Sequence, residues 1–225
     1  GAPAAGTVLV EDAAAGTRVL YVDGGGLVGQ APTYLTEDLL DLTRISVLGG
    51  SHLEISLAAN VSVAEGLLGD NTTTLSVASG STLYLPSDYH LRDLTLSVQD
   101  GQLQGWEDVV VGSGATLELY SSGQAGGDGS KPGYYKLSSL RVGETGTVFI
   151  GALKSDAIQA ENLGVSINVT VFATNLIEVE SGGSIDGSAL GYRSFSRDST
   201  VVSEPAVNAS GTSSNGIDGG GGGGH

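Results

Sequence analysis

The feature that most restricts what this chain can become is a short unit that recurs along it. Each copy reads apolar–x–Val, a brief spacer holding a glycine, then apolar–x–apolar. Ile45, Val47, Gly50, Leu53 and Ile55 make one copy, and Leu75, Val77, Gly80, Leu83 and Leu85 the next. Val109, Val111, Gly114, Leu117 and Leu119 follow. In the fourth copy, Leu140, Val142, Gly146, Val148 and Ile150, the glycine comes one place late. In the fifth, Ile177, Val179, Gly182 and Ile185 lead to Gly187, where the pattern asks for an aliphatic residue. A looser copy, Val8, Val10, Gly16, Val19 and Tyr21, precedes them all. The central valines lie 30, 34, 31 and 37 residues apart.

Apolar residues two apart share one face of a strand. A glycine between two such strands tolerates positive φ and lets the chain turn sharply. Each unit therefore reads as strand, turn, strand, with Gly50, Gly80, Gly114, Gly146 and Gly182 at the turns. Aromatic residues make up 5% of the chain against 40% for all hydrophobic types, so the core is built from Val, Leu, Ile and Ala. Helical periodicity is weak. Its best stretch, Thr36–Leu42, crowds Glu37, Asp38 and Asp41 into a Leu-rich run and predicts one short helix or turn. The fold class is all-β, and two arrangements satisfy the repeat. In a parallel β-solenoid the units stack in phase, with Val47, Val77, Val111, Val142 and Val179 as one core stack. In a β-sandwich each unit is a hairpin. The in-phase apolar positions favour the solenoid.

Residues 1–187 are expected to form the stacked domain, with 1–41 as an atypical first turn or cap. Asn162–Phe172 alternates Val165, Ile167, Val169 and Val171 and predicts an additional strand, whereas Ser121–Pro132 is a glycine-, serine- and aspartate-rich excursion. Residues 188–225 are rich in Ser and Gly and end in six glycines and His225, the composition of a loop or a partly disordered linker. The chain opens Gly-Ala-Pro and lacks Met, which reads as a processed form or a segment of something longer.

The units resemble the strand–Gly–strand coils of right-handed parallel β-helix, or pectin-lyase-like, proteins. The stretch VESGGSIDGSALGY, leading to GGGGGGH, resembles a pattern in large extracellular and cell-surface β-helix proteins with a glycine-rich segment. The likeness covers about residues 40 to 187. It implies a β-helix and an extracellular or cell-surface setting, but leaves activity open, because that architecture hosts lyases, hydrolases, adhesins and fibre proteins.

Charge narrows the partners. A net charge of −16 with only 9 Lys and Arg disfavours nucleic acid and anionic membranes. No apolar run is long enough to span a bilayer. Cysteine chemistry is excluded by composition. Four Asn-x-Ser/Thr sequons, at Asn60, Asn71, Asn168 and Asn208, are candidate N-glycosylation sites. No cofactor is expected. Ca²⁺ is the one ion that Asp128, Asp186 and Asp218 could attract, and all three sit in turn-like sequence. His52, His90 and His225 have no zinc-like spacing. The densest group of titratable residues, Asp88, His90, Arg92 and Asp93, holds an acid, a base and a cation in what reads as a solvated turn. Trp106, alone of its kind, could stack on a sugar together with Tyr84 and Tyr89, or cap the core.

The function expected from these features is structural. The chain would be a module of an extracellular glycoprotein fibre, coat or matrix, acting by stacking and protein–protein contact. Its partners would be copies of itself or other surface proteins. The alternatives are carbohydrate binding or adhesion, and polysaccharide cleavage by a lyase or hydrolase.

Overall fold

The computed structural model describes residues 6–12, 14–26, 31–121, 134–152, 169–187, 206–207 and 213–214. Every regular element among them is a strand. In chain order these are β1 (Gly6–Asp12), β2 (Thr17–Asp23), β3 (Thr33–Leu35), β4 (Leu39–Leu48), β5 (His52–Ile55), β6 (Asn60–Leu68), β7 (Thr74–Val77), β8 (Thr82–Tyr84), β9 (His90–Leu91), β10 (Thr95–Gln99), β11 (Gln102–Gln104), β12 (Asp108–Val111), β13 (Thr116–Ser121), β14 (Tyr134–Val142), β15 (Thr147–Ala152), β16 (Thr170–Val179), β17 (Ser184–Asp186), β18 (Ala206–Val207) and β19 (Ser213–Ser214).

The strands form three large sheets. The first has the order β1-β2-β4-β6-β8-β11, the second β17-β15-β13-β10-β7-β5-β3, and the third β16-β14-β12-β9. All their pairings are parallel except β1 with β2. A separate antiparallel pair, β18 with β19, lies within the expected linker. From β2 to β17 successive strands fall in different sheets, so the five full strand–turn–strand units are not hairpins and no sandwich of hairpins forms from them; the loose first copy, β1 to β2, is a hairpin.

The second sheet is the spine. Leu53, Leu75, Leu96, Leu117, Val148 and Ile185 stand opposite one another in unbroken register. Beside them run Leu35, Ile55, Val77, Val98, Leu119 and Ile150. Both rows point inward and, away from the ends, are buried. In the third sheet Leu91, Val111, Val142 and Val179 share a ladder. Branched aliphatic residues suit this arrangement, since identical pleats placed one above another accept side chains of similar shape.

The register corrects the reading of the repeat. Rungs of the second sheet recur after 22, 21 and 21 residues between Leu53 and Leu117, not after 30 or more. The unit holding Val77 and Gly80 links the second sheet to the first. Those holding Val111, Val142 and Val179 link the third sheet to the second. Val77 therefore stacks with Ile55 and Val98, Val47 pairs with Val22, and the five valines do not form one column. Val179 is 45% exposed, because β16 is the edge strand of its sheet. Thr36–Leu42 contains no helix. Glu37 is a bend, and Leu39 opens β4, where pairing with β2 and β6 outweighs the weak helical pattern.

Candidate functional site

The corner entering the second sheet repeats seven times. Gly26 N donates to Gly49 O (3.0 Å), Asn71 N to Asp93 O (2.7 Å), Asp93 N to Ser113 O (3.2 Å) and Thr145 N to Gly182 O (3.2 Å). Gly49 N and Gly50 N reach the next corner through Asp70 Oδ2 (2.6 Å) and Thr72 Oγ1 (3.1 Å). Gly114 N completes the column through Thr145 Oγ1 (3.3 Å). Each rung places at least one residue at positive φ: Gly25 and Gly26 at 62° and 79°, Gly49 and Gly50 at 63° and 74°, Asn71 at 66°, Asp93 at 51°, Gly114 at 66°, Thr145 at 60° and Gly182 at 88°. Asn and Asp accept this region more readily than other side chains. Two corners therefore lack the glycine that marks the others in sequence. Gly146 is not the left-handed residue of its corner. A Cβ there would press on Val111 O, so close backbone approach is what requires glycine.

This column settles where several candidate residues lie. The Asn71 carboxamide, turned to match its neighbours, donates from Nδ2 to Asp93 Oδ1 (2.8 Å) and Gly114 O (3.2 Å). Asn60 donates from N (2.7 Å) and Nδ2 (3.2 Å) to Asp38 Oδ1. In both sequons the nitrogen that would carry a glycan is held by the fold. Asn168 and Asn208 lie outside the described residues, as do Asp128, Asp218 and His225. Asp70 is exposed. Burial raises its pKa, but hydrogen bonds from Gly49, Thr72 and Thr73 together outweigh burial and hold the carboxyl below the ordinary carboxylate range.

The group at Asp88, His90, Arg92 and Asp93 is not drawn together. Asp93 serves the corner, while Asp88, His90 and Arg92 are exposed and joined by no hydrogen bond or ion pair. Among the described residues no group of three or more His, Asp or Glu is placed to hold a metal ion. Asp186 lies on the edge strand β17.

Trp106 is not a sugar platform. It is 4% exposed, donates from Nε1 to Tyr89 O (2.6 Å), and packs on the Tyr89 ring at 5.7 Å. Tyr89 is itself buried and donates its hydroxyl to Leu67 O (2.9 Å), and burial raises its pKa. Gly66, at φ 107°, makes room for it, since a Cβ there would overlap the ring. Gly66, Tyr89 and Trp106 are thus one packing unit. His52 is a residue that sequence spacing gave no reason to single out. It is half-buried on the second sheet with Nε2 2.7 Å from Ser76 Oγ. Burial lowers its pKa, opposed by the charge of Glu54.

No known protein family, curated protein or solved structure matches the chain.

What remains as a site is the pair of ends. At one, Val8, Leu9 and Val10 on β1 and Tyr34 on β3 are exposed. At the other, Phe172, Leu176, Ile177 and Val179 on β16 and Ile185 on β17 are exposed. These nine are the majority of the thirteen large hydrophobic residues exposed among the described residues. All four strands are sheet edges. Ile177, Val179 and Ile185 also continue ladders that are buried one rung earlier at Leu140, Val142 and Val148. Each end therefore combines unpaired strand edge with apolar side chains, the combination that templates further pairing.

Proposed function

We propose that the chain is a right-handed parallel β-helix serving as a structural module of an extracellular or cell-surface assembly, and that it works by end-to-end self-association. The observation that carries this reading is the concentration of exposed aliphatic residues on the four edge strands at the two ends of the stack. The β-helix is supported by the return of the chain to the second sheet at every turn in parallel register, two of those turns passing through all three sheets, and the hand by the strong preference of parallel crossovers for right-handed connections. An assembly role is further supported by the uninterrupted inward ladders, whose last apolar rungs, Ile177, Val179 and Ile185, are left 39–51% exposed and would be covered by a further rung. The net charge of −16 is compatible with this, because like charge between modules keeps the association soluble and reversible.

Sedimentation over a wide concentration series, with electron microscopy of the same samples, tests the reading. Rods or filaments that lengthen with concentration are expected. A species that stays monomeric throughout the series overturns it.

A further inference from the structure

The two ends differ in a way that sets the polarity of assembly. At the β16/β17 end, β16 presents a ten-residue edge with Ile177 and Val179 as the inward residues nearest the corner, and β17 presents three residues with Ile185 inward. At the opposite end, β1 presents a seven-residue edge with Leu9 on the inward row, and β3 presents three residues with Leu35 inward. Leu9 belongs to that row because it stands opposite Leu20, which pairs in turn with Ile45 of the core.

Both ends offer one long strand and one three-residue strand around the same corner. The strand that leads into the corner is the edge strand β16 at one end and β2, which lies behind the antiparallel edge strand β1, at the other. β16 leads through residues 180–183 into β17, just as β4, which pairs with β2, leads through residues 49–51 into β5, which pairs with β3. The corner column is continuous from Gly26 to Gly182, so the two ends lie on one axis.

From this match we infer that a second copy of this chain docks head to tail. β1 of one copy adds antiparallel to β16 of the next, and β3 adds parallel to β17. The inference rests on the self-association reading above and adds its polarity. Two like ends meeting would cover one apolar edge and leave the other bare on both outer faces. Head-to-tail contact covers both edges at every junction. Such a contact is heterologous and, along a straight axis, does not close, so it produces an open filament rather than a dimer.

The test uses two variants, each blocked at one end with lysines, which discourage edge pairing. Leu9→Lys/Val10→Lys blocks the β1 end, and Ile177→Lys/Val179→Lys blocks the β16 end. All four positions are exposed, and far-UV circular dichroism checks that each variant folds. Should either variant unfold, Leu9→Cys and Ile177→Cys replace them. The chain has no other cysteine, so a bulky maleimide can be attached after folding. Each blocked protein alone is expected to be monomeric, and an equimolar mixture to form a one-to-one dimer that goes no further. A β1-blocked protein that still dimerises by itself overturns head-to-tail docking while leaving self-association standing. A mixture that stays monomeric while the unmodified chain polymerises also overturns it. An unmodified chain that stays monomeric removes both this inference and the reading beneath it.

Discussion

Replacing one leucine in the spine with alanine discriminates between a tightly stacked ladder and a loose β-rich assembly. Leu96 is fully buried between Leu75 on one side and Leu117 on the other. Truncating a buried leucine removes its transfer free energy and leaves a cavity whose cost depends on how far the surroundings collapse, about 2.7–5 kcal/mol in all. Here collapse is poor. The flanking strands are held at the ~4.8 Å hydrogen-bonding distance of a sheet and cannot close on the gap. The upper part of the range, about 4 kcal/mol, therefore applies to Leu96→Ala. Ile185 occupies the same row but is 39% exposed, with a row neighbour on one side only among the described residues. Ile185→Ala should cost about 1 kcal/mol, since much of its apolar area is already in water. Urea unfolding of both variants at low protein concentration, followed by circular dichroism, measures the difference. The slope with denaturant should not change, so the midpoints carry the effect. In thermal melts the Leu96 variant should fall by roughly 8–16 °C, at 2–4 °C per kcal/mol for a domain of this size. Equal losses at the two positions would refute in-register stacking of this row.

Other outcomes follow from the packing and the corners. Gly66→Ala should destabilise by about 3 kcal/mol or more, because it combines a left-handed backbone with overlap of the Tyr89 ring. Gly80→Ala, where a Cβ finds only ordinary contact with Ala58, should cost only the conformational ~1–2 kcal/mol; denaturant midpoints of the pair check the ordering. Asn71→Ala should cost about 2 kcal/mol or more through lost carboxamide hydrogen bonds and a strained φ, and Asn71→Gly distinctly less, again by equilibrium unfolding. The His52 pKa is depressed in the folded chain, so the unfolded chain binds the proton more readily. Stability is then full above the ordinary histidine pKa of ~6.5 and falls as pH drops below it. Thermal melts between pH 8 and 5 should show that loss, and His52→Gln should flatten part of it.

The all-β class, the glycine corners and the inward rows were legible in sequence because alternation and turn glycines are local signals. The period was not. Asn71 and Asp93 take the left-handed position that glycine fills at neighbouring corners, so two rungs carry no glycine mark. Thr145 does the same beside Gly146, which explains why the glycine of that unit looked displaced. Gly80 belongs to a different corner yet sits in the same local pattern, and pattern alone cannot tell one corner from another. Trp106 could be weighed as a surface ring because nothing near it in sequence reveals Tyr89 as its packing partner. Val179 shares its motif with buried valines and differs in lying on β16, the edge of its sheet among the described residues, a property of position in the stack rather than of residue type. The ends were invisible for the same reason.

The spacing of rungs in the second sheet has a practical meaning. From Leu53 to Leu117 each step takes 21 or 22 residues, yet Leu117 to Val148 takes 31 and Val148 to Ile185 takes 37, with no slip in register. The chain behaves like a ruler whose marks stay evenly placed however much thread is spooled between them. Each of the two longer steps includes a passage from the second sheet to the third, β13 to β14 and β15 to β16. Since the register holds across steps of such different length, foreign peptide grafted within the two longer steps is expected to leave the rungs in place. If the modules polymerise head to tail, every graft would be displayed at a fixed interval along the fibre.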